Sequence, residues 1–201
     1  MSPTKERCGW ASFDEALILY HDLEWGAPIH EDARHFEFLV LESAQAGLSW
    51  LTVLRKRDSY RIAYCGFDPE HVARFGKRDL ERLISNSGLV RNRAKIESSI
   101  NNARKFLDIQ KEFGTFDAYL WKWTNGKPVV NRWQQMSDVP PRSDLSDLVS
   151  KDLKARGFSF IGSTIIYSHL QAVGVVNDHL VSCFRWPQLL PHPRRPARGV
   201  R

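Results

Sequence analysis

Three kinds of residue in this 201-residue chain could do chemistry. The first kind ligates metal. Cys8 and His21 lie near the amino end, His179 and Cys183 near the carboxyl end. His179 and Cys183 are four apart, so a helical turn would direct both side chains to one face. Two thiolates and two imidazoles make the closed tetrahedral set preferred by structural zinc, with no position left open for a substrate. Ligands so far apart in sequence form no local motif, and spacing alone leaves metal binding and ordinary burial both open. The second kind is a carboxylate out of place. Glu42 follows Phe36, Phe38, Leu39, Val40 and Leu41 and shares a helical stripe with Leu39 and Ala46. On a buried face it needs a hydrogen-bonding or cationic partner. Capping or bridging at a helix junction is one use for it. Tyr20, Trp25 and Trp50 offer another, because a carboxylate beside aromatic faces reads a flat, positively charged ligand.

Basic residues supply a third candidate. The stretch from Leu83 to Ile96 reads as a helix, a turn at Gly88, and a second helix whose amino end carries Arg91, Arg93 and Lys95. Free N–H groups at such a helix start can hold a phosphate, and the cations add charge. The pattern resembles the helix-hairpin-helix element of DNA-binding proteins; the plain alternative is an α-hairpin with a solvated basic face. Arg55-Lys56-Arg57 is a second basic run, of the sort that usually forms a solvated face. The formal net charge of +6 points to a polyanionic partner only weakly. Four arginines, Arg194, Arg195, Arg198 and Arg201, belong to a proline-broken end, and without them the body carries about +2.

The elements that must position these groups read as helices. Periodicity and end signals predict them over Asp14 to His21, Glu31 to Gly47, Leu48 to Tyr64, Asp79 to Ser87, Arg91 to Phe113 and Phe116 to Trp123. Asp68-Pro69 opens a further short one. Ser143 or Ser146 caps a helix running to Arg156 and closed by Gly157, and another runs from Gly162 to Val173. Gln134 to Arg142 reads as a proline-rich loop, and Asn125-Gly126-Lys127-Pro128 as a turn. No segment alternates cleanly, so the expected fold class is all-α. At 42% hydrophobic residues with seven tryptophans, the chain can bury a core. The expected organisation is one domain over 1–187 and a basic, disordered tail over 188–201. No apolar run is long enough for a membrane span, and the polar start lacks a signal-peptide pattern. An odd, sparse set of cysteines argues against a disulfide framework and for the cytoplasm, with Cys65 expected as a small buried hydrophobe. Walker loops, dinucleotide-binding glycine motifs and nucleophile elbows are absent from the sequence.

Several blocks together resemble the bacterial 3-methyladenine DNA glycosylase I family. They are Arg7-Cys8-Gly9-Trp10, Tyr20-His21-Asp22-Leu23-Glu24-Trp25-Gly26 and Glu42 to Trp50, with Gln45-Ala46-Gly47-Leu48-Ser49-Trp50 at the core of the third. Arg156-Gly157-Phe158-Ser159-Phe160-Ile161-Gly162 and Val176-Asn177-Asp178-His179 complete the series. The resemblance spans about Cys8 to Pro187. It implies a helix-hairpin-helix glycosylase fold in which one structural zinc, held by Cys8, His21, His179 and Cys183, ties the two ends. It implies hydrolysis of the N-glycosidic bond of 3-methyladenine in double-stranded alkylated DNA, by a monomer that flips the nucleotide out. By matching position, Glu42 would accept hydrogen bonds from the cationic base, Tyr20 would add a polar contact, and Trp50 would stack. Trp10 and Trp25 would wall the pocket, and Gly47 with Leu48 as a wedge would enter the DNA gap. Free 3-methyladenine would be the product ligand. No lysine is placed as a Schiff-base nucleophile, so lyase chemistry is not expected. The family commonly has tyrosine three residues before Tyr20, where this chain has Leu17, which would alter base discrimination. The rival readings are a non-catalytic relative that binds damaged DNA and a zinc-dependent hydrolase.

Overall fold

Helix starts are fixed by side chains that accept the first free backbone N–H groups. Asp14 accepts from Ala16 N at 2.9 Å and opens α1, Glu15–Leu23. Helix α2, Asp32–Gln45, is the buried spine, with every residue from His35 to Ala44 out of solvent. The helix expected over Leu48 to Tyr64 is broken in two, α3 at Trp50–Leu54 and α4 at Arg57–Ala63. Ser49 caps α3 by accepting from Thr52 N. Asp68 caps α5, Pro69–Ala73, and α6 spans Lys77–Ser85. Asn92 accepts from Lys95 N to start the long α7, Arg93–Phe113. Thr115 caps α8, Phe116–Trp121. Ser143 and Ser146 exchange hydrogen bonds at the start of α9, Asp144–Ala155, and α10 follows at Ser163–Ala172. The last helix, α11, is Arg185–Gln188. This computed structural model describes residues 5–191. The basic tail expected from 188 onward therefore lies mostly outside the described residues, and its first residue, Gln188, ends α11.

The fold is mostly helical, with one departure from the all-α expectation. Val129–Val130 (β1) pairs in parallel with Val176–Asn177 (β2), Val129 opposite Val176 and Val130 opposite Asn177. Two residues are too few for a visible alternation, yet this pair brings the segment after α8 against the segment after α10. The core lies between α2, α7, α8 and α10, where Phe36 meets Phe106 edge-on and Phe106 stacks on Phe116 with centroids 4.3 Å apart. No helix among the described residues is long and apolar enough to cross a membrane.

Other expectations change in three dimensions. His179 and Cys183 follow β2 in a turn and are not on a helix. Cys65 is exposed, with its backbone in the left-handed region at φ 52°. Gly88 lies in the turn beyond α6, which Asn86 caps. A Cβ at Gly88 would lie 2.6 Å from Ser59 Oγ, so a close approach of the hairpin to α4 requires the glycine.

The loop after α1 locks onto the end of α10: Gly26 N donates to Gln171 O and Ile29 N to Val173 O, both at 3.1 Å. Gly174 sits in this junction at φ +73°, where a Cβ would lie 2.4 Å from Pro28 N and 2.5 Å from Ala27 C. Both atoms are backbone and cannot step aside. Gly174→Ala is expected to cost about 2 kcal/mol or more, read as a lowered midpoint in thermal unfolding.

Candidate functional site

Glu42 is 4% exposed, near the carboxyl end of α2, and no group of the described residues donates to its carboxylate. Burial pushes its carboxyl up to about 8. It opens into a cavity of about 330 Å³. Trp10, Tyr20, Trp25 and Trp50 line that space with it. The rings contact one another as a wall: Tyr20 and Trp50 centroids are 5.3 Å apart, and Trp10 meets Trp25 edge-on at 5.0 Å. The phenol of Tyr20 is held well above its ordinary range, by burial first and then by the charge of Glu42.

The cavity has a second carboxylate, Asp178, whose oxygens already have hydrogen-bond donors. It accepts from Asn131 Nδ2 at 2.6 Å, from Trp133 Nε1 and Gln171 Nε2 at 2.7 Å, and from the Tyr167 hydroxyl. Its acceptor capacity is taken up in joining the β1–β2 segment to α10, so Glu42 is the carboxylate left for a ligand. A flat cation fits this arrangement, because its charge favours the ionised carboxylate that burial alone disfavours. A smaller cavity of about 180 Å³ shares Glu42 and Gln45 with the first. Gly47 and Leu48 line it together with Thr164 and Ile165.

Beside the aromatic wall, Cys8, His21, His179 and Cys183 converge. All four are buried, and their donor atoms lie within 4.8 Å of one another. Cys183 Sγ is 3.4 Å from His21 Nε2 and 3.5 Å from His179 Nδ1, and Cys8 Sγ is 3.6 Å from His179 Nδ1. Zinc–sulfur and zinc–nitrogen bond lengths put the edges of a tetrahedron at about 3.5 Å, so the set fits one metal ion. The outer nitrogens are also occupied. His21 Nδ1 meets Asp22 at 2.8 Å, and His179 Nε2 meets the Trp25 carbonyl at 3.0 Å. Such partners turn the inner nitrogens toward a metal. Arg7 in turn holds Asp22 at 2.8 Å. Trp10 packs edge-on to His21 at 5.3 Å, and Trp25 to His179 at 4.5 Å, so the ligand group supports two walls of the cavity.

A sequence model of the Methyladenine glycosylase family matches residues 10–186. This chain belongs to that family. It is 46% identical over 182 residues to DNA-3-methyladenine glycosylase 1 of Escherichia coli, covering 90% of this chain and 97% of the relative. It is 44% identical over 177 residues to DNA-3-methyladenine glycosylase of Haemophilus influenzae, covering 88% and 96%. A solved structure of 3-methyladenine DNA glycosylase I from Staphylococcus aureus, concerned with that enzyme's recognition of 3-methyladenine, superposes with a TM-score of 0.88. Sequence identity there is 37%, over 93% of this chain and 98% of the other.

Within this methyladenine glycosylase, the three-dimensional arrangement adds residues the sequence did not single out. Met136, Val139, Pro140 and Pro141 form a wall of the larger cavity from the expected loop, and Gln45, Tyr167 and Gln171 complete it. A polar, proline-rich loop carries no signal of facing a pocket; the position of Asp178 in the block ending at His179 was the one available hint. Leu17 is 3% exposed and is not among the lining residues. The basic candidates divide. Arg91 is exposed and makes no ion pair among the described residues, while Arg93 pairs with Glu81 at 3.0 Å. Arg57 is buried between Glu24 and Glu37, Arg55 pairs with Asp14, and Lys56 Nζ donates to Ser87 O, so that run is not a free basic face.

Lys95, expected at the DNA phosphates, is committed elsewhere. Its Nζ donates to Ala44 O at 2.9 Å and Ala46 O at 2.5 Å, the last carbonyls of α2. Partial burial lowers its pKa. The ammonium therefore caps the helix that carries Glu42 and anchors the Gly47–Leu48 turn, where Gly47 has φ +78°. Lys95→Met is expected to cost about 1–2 kcal/mol in denaturant unfolding and to speed proteolysis at Gly47–Leu48.

Proposed function

We propose that this chain is a monofunctional DNA repair glycosylase that hydrolyses the N-glycosidic bond of 3-methyladenine in alkylated DNA and leaves an abasic site. Residues 1–187 then make one glycosylase domain, acting as a cytoplasmic monomer on double-stranded DNA. The observation that carries the reading is the buried, unpartnered Glu42 carboxylate facing an aromatic cavity in a member of this family. Methylation at N3 makes the base cationic and a good leaving group, because it departs neutral. The protein has no need to protonate it. It has to extrude the nucleotide, hold the ring and admit water to the sugar. Trp50 supplies a stacking face, Tyr20 a hydroxyl, and Glu42 the charge that favours the positive ring. Gly47 and Leu48 occupy the space the base leaves, and Arg91 with the Gly88 hairpin meets the backbone in the manner of a helix-hairpin-helix element.

The test is release of free bases from methylated duplex DNA, resolved by chromatography, beside calorimetry with free 3-methyladenine. Wild type is expected to release 3-methyladenine, and Glu42→Gln to bind the free base roughly tenfold to a hundredfold more weakly. Folded protein that binds DNA and releases nothing would turn the assignment to a damage-binding relative. The pH profile has a defined sign. A protonated Glu42 cannot attract a fixed cation, so kcat/KM on methylated DNA is expected to rise as pH passes through about 8. The glutamine variant should lack that limb.

For the ligand group we propose zinc in a purely structural role. Two sulfurs and two imidazoles complete its shell, so bound zinc would tie Cys8 and His21 to His179 and Cys183 without offering a site for substrate. Removing zinc with a chelator is expected to lower the melting temperature by roughly 10 °C or more and to abolish base binding only together with the fold. Loss of base release ahead of any change in circular dichroism would instead favour a catalytic metal.

A further inference from the structure

Phe160 stands in the left-handed region at φ 54°, a costly conformation for a bulky side chain. It is 38% exposed, between the buried Phe158 and Ile161. The surrounding backbone is clamped by side chains from three helices. Asn101 Nδ2 of α7 donates to Gly157 O at 2.8 Å, and Asn102 of α7 bonds both Ser159 O and Ser159 N at 2.9 Å. Ser43 Oγ of α2 donates to Phe160 O at 3.0 Å, and Ser150 Oγ of α9 to Ile161 O at 2.7 Å. Ser43, Asn102 and Ser150 are buried. This buried polar clamp holds one strained, exposed aromatic ring in a fixed place.

Its position gives the ring a use. Ser43, which holds its carbonyl, adjoins Glu42 and lies one turn before Ala46 and Gly47. Three residues beyond Phe160, α10 begins, and its Thr164 and Ile165 line the smaller cavity together with Gly47 and Leu48. Leu48, 41% exposed, and Phe160 thus belong to the two segments that border the opening beside Glu42. We propose that Phe160 is a second wedge for DNA, its ring stacking on the base pair that flanks the extruded nucleotide while Leu48 enters from the other side. This rests on the glycosylase reading above. An aromatic face suits any base, so the contact serves duplex distortion rather than lesion choice.

The test uses Phe160→Asn, because asparagine accepts the left-handed backbone and relieves the strain, together with Phe160→Tyr, which keeps a ring. Binding to a duplex containing a tetrahydrofuran abasic site is measured by fluorescence anisotropy, beside melting temperature and calorimetry with free 3-methyladenine. Phe160→Asn is expected to melt no lower than wild type, to bind the free base within about twofold, and to lose about tenfold in duplex affinity. Phe160→Tyr should retain the duplex affinity. Wild-type duplex affinity in the asparagine variant, or no rescue by tyrosine, would overturn the proposal. So would a parallel loss of free-base binding, which would mark the loop as support for the pocket alone. If wild type releases no base from methylated DNA, the glycosylase reading fails by itself, and the duplex measurements still decide whether Phe160 contacts DNA.

Discussion

A carboxylate removed from water and left without a donor costs the folded state several kcal/mol unless something answers its charge, and Glu42 is held in that condition. The chain handles its other buried carboxylates differently. Glu37 meets Arg34, Arg57 and Arg61, and Asp178 is surrounded by four donors. The exception is therefore a property of the site and not of how this protein treats buried charge. Helix α2 supplies the burial, through Phe36, Phe38, Leu39, Val40 and Leu41, and the aromatic wall lines the cavity into which the carboxylate opens. A proton can neutralise Glu42, since burial pushes its carboxyl up to about 8, so a ligand that keeps it ionised must be positive and must fit against the aromatic wall.

Two supports keep that space open. One is the convergence of the chain ends, where His21 and His179 pack under Trp10 and Trp25. The other is α7, which grips the end of α2 through Lys95 and the segment before α10 through Asn101 and Asn102. Both borders of the opening are thereby attached to one rigid rod. The hairpin that starts this rod at Asn92 shares it, so a load applied at the hairpin and the position of the Gly47–Leu48 turn are mechanically joined.

Sequence made several helices legible because their starts carry chemical signatures. Asp14 and Asp68 cap where the pattern places them, and of the two serines offered Ser143 is the cap. Asn92, by contrast, caps a helix expected to start before it, at Arg91. Glu42 was legible because a charge on an apolar stripe violates a local rule. Other features depend on partners distant in sequence. The fate of Lys95 is set by carbonyls some fifty residues earlier. The division of α3 from α4 follows from Arg57 being drawn inward by Glu24 and Glu37, against the local pattern of a basic surface run. The cavity wall at Met136 to Pro141 is positioned through the β1–β2 pair and Asp178, none of which has a periodicity to detect. His179 and Cys183 have helical spacing without a helix, since convergence on a common centre constrains distances and not the backbone between them.

The cavity is walled by residues from Trp10 at one extreme to Asp178 at the other. A ribosome making this chain from the amino end exposes Trp10, Tyr20, Glu42 and Trp50 long before the groups that enclose them. Throughout that interval Glu42 remains hydrated and Trp25 lacks the His179 imidazole on which it packs. Binding competence thus cannot accumulate gradually during synthesis; it arises in one late event, when the segment bearing His179 and Cys183 emerges and closes on the start of the chain.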